Sequence, residues 1–224
     1  MSHTSRAQPD TAAAPHEVFP AFFDDAPVID VIDPLSGFLG AVEGGRLRYR
    51  YADVVRLAGH SCPTMASAFL MTRAGLKALY GEALPRRGEI RVDVRGQRAE
   101  GVAGVIASAC TLITGATDDW GFHGIGGKFM RRDKLFFGQP LEFGELRFSR
   151  LDGGAPPVEV NVNLQSVGSD PRVSALIGPC LRELASAEDR ALFRTLWQDR
   201  VRRILVEHCD DPEVVQVRAV SRAS

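Results

Sequence analysis

Residues 59–85 read GHSCPTMASAFLMTRAGLKALYGEALP. Met65, Phe69, Thr72, Leu76 and Leu79 recur at helical spacing, and only Arg73 and Lys77 are charged between Pro63 and Gly81. A helix with so narrow a polar face lies largely buried. Pro63 suits a first helical position, and Gly81 and Pro85 end the run.

Outward from this helix, the pattern alternates irregularly between strand and helix. EIRVDVRG (89–96) places Ile90, Val92 and Val94 on one face, which predicts a half-buried strand. EGVAGVIASACTLITGA (100–116) is apolar nearly all round, and its small residues suit a second buried helix packed on a neighbour. A glycine-rich loop, TDDWGFHGIGGK (117–128), follows, and KFMRRDKLFFG (128–138) reads as a hairpin turning at Arg132–Asp133. Two strands joined at Asp152–Gly153–Gly154 come next. In the second, Val158, Val160, Val162 and Leu164 share a face. The tail is helical, with Ser186 and Asp189 forming a cap for 187–208 and burying Leu192, Leu196, Ile204 and Leu205. Trp197 within it reads as a packing residue. EVVQVRAV (213–220) closes as a strand.

Upstream, ADVVRLAGH (52–60) reads as a short helical connector. SGFLGAVEGGRLRYRY (36–51) reads as a hairpin with its turn at Glu43–Gly45, and HEVFPAFFDDA (16–26) holds a short helix. Residues 1–16 lack periodicity and read as a disordered arm. The pattern predicts an α+β fold over 17–224, with buried helices on a mixed or antiparallel sheet. A subdivision into lobes 17–138 and 139–224 stays open.

The net charge is −1, which gives no bulk attraction to nucleic acid or to an anionic membrane. No apolar run approaches the roughly 20 residues a spanning helix needs, and the start lacks the apolar core of a secretory signal. A cytoplasmic location is therefore expected, and a small-molecule ligand stays open. The four cysteines, Cys62, Cys110, Cys180 and Cys209, form no CxxC pair and read as free thiols, metal ligands or small buried groups.

His60 and Cys62 lie two residues apart, so they share a face only in an extended segment. With Pro63 opening the helix, Cys62 falls at its N-cap. Unpaired N–H groups and the positive end of the helix dipole gather there, and both favour a thiolate. Thiolate binds metal or attacks an electrophile, and His60 can coordinate beside it. Spacing alone favours a plain buried cap over a metal site, because one His-x-Cys pair is half a metal site.

GHSCPTMASAF (59–69) resembles the GHxCPG-type motif of the FmdE-like family, which takes its name from a component of formylmethanofuran dehydrogenase. TGAT (114–117), Gly127–Lys128 and DPEVVQV (211–217) keep that family's order, and the likeness spans roughly residues 50 to 220. The resemblance implies an α+β homodimer whose His60 and Cys62 line a metal site, usually taken as zinc. Three positions depart from the family pattern. Ala116 stands where a second sulfur is expected, DDWGFHGIGG (118–127) replaces GKGN, and Thr64 replaces glycine.

His123 in the glycine loop is the candidate third ligand. Cys110, about 240° round a helix from Ala116, is a further candidate. Asp118 and Asp119 can ligate or buttress a ligating histidine. Lys128 can place a positive charge by the site, attracting an anion or activating the thiol as a catalytic group. A phosphate loop is excluded, since Phe122 and Phe129 sit where glycine and Ser/Thr are required. The functional expectation is a zinc-like metal protein, accessory to a redox or molybdenum enzyme or engaged in metal handling. The alternative is a metal- or thiolate-dependent enzyme acting on a small carbonyl or anionic substrate. Haem, which also takes Cys or His axially, stays open as a cofactor.

Overall fold

The computed structural model of the chain describes residues 17–220. The expected arm at 1–16 lies outside the described residues. Seven α-helices and seven strands are described: α1 Phe22–Asp25, β1 Ile29–Ile32, α2 Pro34–Phe38, β2 Arg46–Tyr49, α3 Tyr51–Ala58, α4 Pro63–Tyr80, β3 Ile90–Val94, α5 Ala103–Thr114, β4 Leu135–Phe136, β5 Leu146–Arg150, β6 Val158–Val162, α6 Pro171–Leu181, α7 Ala187–Arg202 and β7 Val215–Ala219. The fold is α+β, with one five-stranded sheet ordered β4-β3-β5-β6-β7 and a separate β1–β2 pair. All pairings are antiparallel except β3 with β4. The sheet takes strands from both sides of residue 138, so its hydrogen bonds cross that boundary.

Helix α4 is the centre of the molecule. It lies against β5, β6 and β7 and packs on α3, α5 and α7. Surrounded in this way, it buries Met65, Phe69, Leu70, Met71, Leu76 and Leu79 on several faces, which explains its narrow polar stripe. The helix approaches the sheet closely at Gly75, where a Cβ would overlap the Phe148 ring of β5. Pro63 occupies its first turn with Cys62 as N-cap, and Gly81 caps its C-terminus at φ 57°. Ser186 caps α7, accepting from the Asp189 N–H at 3.0 Å.

Two hairpins expected from the sequence differ. The partner of β2 is β1, not the 36–42 segment: Ile29 faces Tyr49 and Ile32 faces Arg46. Between them Asp33 accepts from the Leu35 and Ser36 N–H groups and opens α2, so the glycines at 44 and 45 form only the last turn before β2. Residues 128–138 form no hairpin at Arg132–Asp133. Instead Leu135–Phe136 joins β3 in parallel, while Thr117 pairs through its backbone with Arg131, Lys134 and Leu135. The neighbouring strand edge supplies more backbone hydrogen bonds than a self-contained turn would. In the tail, Ile204 and Leu205 are fully buried but Leu192 and Leu196 are half-buried, because α7 leans on α6 more than on the core.

Candidate functional site

The start of α4 is positioned by a residue between the two candidate ligands. Helix α3 ends at Gly59 in the left-handed region, φ 71°, which releases the chain into an extended link. Ser61 on this link is held by α7 and α3 together. Its carbonyl accepts from Trp197 Nε1 at 3.0 Å and from Gln198 Nε2 at 3.3 Å. Its hydroxyl donates to Gln198 Oε1 at 2.9 Å, and Tyr51 Oη, 3.1 Å away, donates to it in turn. Burial pushes the Tyr51 phenol well above its ordinary range, so it remains a proton donor.

Cys62 adopts an extended backbone, φ −151° and ψ 166°, and its carbonyl accepts the first helical bond from Ala66 N at 3.0 Å. Its thiol makes no capping bond, and the residue is half-buried against the core. His60 is exposed, with Nδ1 2.9 Å from the Ala58 carbonyl. A carbonyl only accepts, so Nδ1 carries the hydrogen and a neutral ring keeps its Nε2 lone pair free. This arrangement, with one ring nitrogen fixed by the backbone, is usual among metal-ligating histidines.

The other candidate residues lie elsewhere. Cys110 is fully buried in α5, with its sulfur 3.3 Å from Thr72 Oγ1. Thr72 is ten residues along α4 from Cys62, which is about 15 Å of helix. Burial pushes the Cys110 thiol up to about 12. His123 is exposed in the glycine loop, and Lys128 is exposed where Ile125 and Lys128 bridge across Gly126–Gly127. Asp118 pairs with Arg98, and Asp119 is exposed. Ala116 is buried in the interior. Cys209 and His208 are half-buried, with His208 Nδ1 bonded to Asp211 at 2.9 Å. Cys180 is half-buried in α6. Among the described residues, no three His, Cys, Asp or Glu side chains gather into a group that could hold a metal. No described helix is long and apolar enough to cross a membrane.

Beside Ser61 opens a cavity of about 300 Å³. Phe19, Pro20 and Phe23 wall one side, Val55 of α3 a second, and Phe193 and Trp197 of α7 a third. Its polar lining is Ser61, Gln198 and Arg194. Nothing in the periodic pattern announces this cavity, because its walls come from segments more than 130 residues apart. The sequence gives Trp197 only a packing role, whereas its N–H fixes the Ser61 link.

A second buried cluster also lacks a sequence signal. Asp33, 3% exposed, accepts from Arg131 Nη2 at 2.6 Å and Arg87 Nη1 at 2.8 Å. Burial pushes its carboxyl up, but the Arg87 bond, the Ser36 N–H and the two arginine charges outweigh this and hold it below its ordinary value. Arg87 also donates to the Leu112 carbonyl, closing the end of α5. Lys134, depressed by burial, donates to Met130 O and Gly88 O. The cluster ties the β1–β2 unit to α5 and the glycine loop.

No family model matches the chain, and no curated protein matches it significantly.

Proposed function

We propose that the chain binds a zinc-like divalent metal through His60 Nε2 and Cys62 Sγ at the start of α4. The observation that carries this reading is the His60 Nδ1 bond to the Ala58 carbonyl, which leaves Nε2 as a free donor two residues from an uncommitted thiol. A nitrogen and a sulfur donor suit zinc, and the clamp on Ser61 holds the link between them still. Two protein donors do not saturate a tetrahedral ion. Water, a small anionic ligand, or further donors such as His123 from the homodimer implied by the family resemblance complete the set.

A role in metal handling, or as an accessory to a redox or molybdenum enzyme as the FmdE-like resemblance implies, accords with this half-open site. Bound there, the ion would polarise a small carbonyl or anionic ligand at its open positions. Lys128 and Cys110 are placed outside this site in the reading, Cys110 because its thiol is sealed against Thr72.

Elemental analysis of protein purified without a histidine tag tests the proposal. We expect zinc-like metal in the parent and its loss in Cys62→Ser and His60→Ala, with both variants still folded. Equal metal content in Cys62→Ser and the parent removes the site.

A further inference from the structure

We propose that the aromatic cavity beside Ser61 binds a small amphipathic carboxylate whose body is an aromatic ring or a short acyl chain. The inference goes beyond the metal reading and does not depend on it, since it rests on the cavity walls alone.

The walls settle the body of the ligand. A volume of about 300 Å³ is at the small end of ligand sites, enough for one ring with a short chain. Phe19 stacks on Phe23 at 5.3 Å, Phe23 meets Tyr51 edge-on at 4.9 Å, and Phe193 lies 5.6 Å from Trp197. These contacts fix the ring orientations before any ligand arrives, so little side-chain freedom is lost on binding. Residues 1–16, which precede this wall in sequence, contain no Phe, Tyr, Trp, Leu, Ile or Val.

The charge settles the head group. Arg194 is the only charged residue in the lining and makes no hydrogen bond or ion pair among the described residues. Arg56, stacked 5.1 Å from the centre of the Phe19 ring, is already paired with Glu17 and Asp53. Aromatic walls could also enclose a cation, but a lining whose one charge is a guanidinium, unpaired among the described residues, disfavours it. A guanidinium fork fits a carboxylate, and a single fork matches a monoanion better than a phosphate dianion. Gln198 Nε2 uses one N–H on Ser61 and keeps the other for the ligand.

Trp197 provides the readout. The chain has two tryptophans, and Trp120 is exposed in the glycine loop. In a full-length Trp120→Phe background, treated with EDTA, Trp197 fluorescence is titrated with 3-phenylpropanoate, 3-phenylpropanamide and 2-phenylethylammonium. The acid should give a saturable change with a dissociation constant of about 1 mM or tighter. The amide should bind roughly tenfold more weakly and the ammonium more weakly still. Arg194→Gln, at an exposed position, should erase the difference between acid and amide while leaving the amide's affinity unchanged. Val55→Phe should fill the cavity and abolish all binding. The inference is overturned by no saturable binding of the acid, by equal binding of the ammonium, or by an acid preference that survives Arg194→Gln. Binding of the acid that disappears with EDTA places it on a metal and also overturns the inference, while leaving the metal reading intact.

Discussion

Trp197 Nε1 donates to the Ser61 carbonyl at 3.0 Å, joining α7 to the three-residue link that opens α4. Gln198 adds a second donor to the same oxygen and an acceptor for the Ser61 hydroxyl. The candidate ligands His60 and Cys62 therefore flank a residue that is anchored 136 positions away. Trp197→Phe keeps most of the ring and removes the N–H. We expect a loss of about 1 kcal/mol in urea unfolding. Combined with Gln198→Ala, which leaves the oxygen without either donor, the loss should exceed the sum of the two single variants. An additive double variant would show that the two donors act independently.

The thiols separate by environment. Cys110 is fully buried, bonded to Thr72, and its thiol is pushed up to about 12. Native protein exposed to iodoacetamide at pH 8 should label Cys62 but not Cys110. Cys110 should react only after unfolding in denaturant, read by peptide mass spectrometry. Equal labelling rates in the native state would contradict the burial of α5 against α4.

Asp33 links acid stability to the buried cluster. Its carboxyl lies below its ordinary value of 3.8 in the folded chain. A depressed carboxyl contributes stability in full above the unfolded value, and that contribution fades as pH falls through the folded one. Stability should therefore decline below about pH 4. Asp33→Asn should lower stability at pH 7 by on the order of 3 kcal/mol, because Arg87 and Arg131 are left without their counter-charge. The variant should also show a flatter stability profile below pH 4, measured by chemical denaturation at each pH. A parallel profile in the variant would remove Asp33 as the source.

Gly75 reports the distance between α4 and the sheet. In an open helix, Gly→Ala gains up to about 1 kcal/mol. Here the added methyl meets the Phe148 ring, and overpacking costs about 1–3 kcal/mol. Gly75→Ala should be net destabilising, and Phe148→Leu in the same chain should recover part of the loss. A stabilised Gly75→Ala variant would mean that α4 stands further from β5.

The parts of the fold legible in the sequence are those governed by neighbours a few residues apart. Pro63 and Gly81 mark both ends of α4, Cys62 falls at its N-cap, and Ser186 with Asp189 opens α7. Alternation marks β3, and Asp152 to Gly154 marks the β5–β6 turn. The β1–β2 pairing was not legible, because the intervening α2 is opened by Asp33, whose carboxylate is also committed to arginines 54 and 98 residues away. The parallel β3–β4 contact has no local signature either, since parallel strands pair only after an intervening crossover.

The same division holds at the candidate site. Local chemistry is enough to place a cysteine at the mouth of a buried helix with a histidine beside it, because caps, prolines and periodicity act over a single turn. Only tertiary packing decided that Ser61 is held by α7, that Cys110 is sealed away from Cys62, and that an aromatic cavity with one arginine, unpaired among the described residues, opens next to the link. Those outcomes depend on which surfaces of distant segments come together, and burial rewards any well-packed pairing of apolar faces without a code written in adjacent residues.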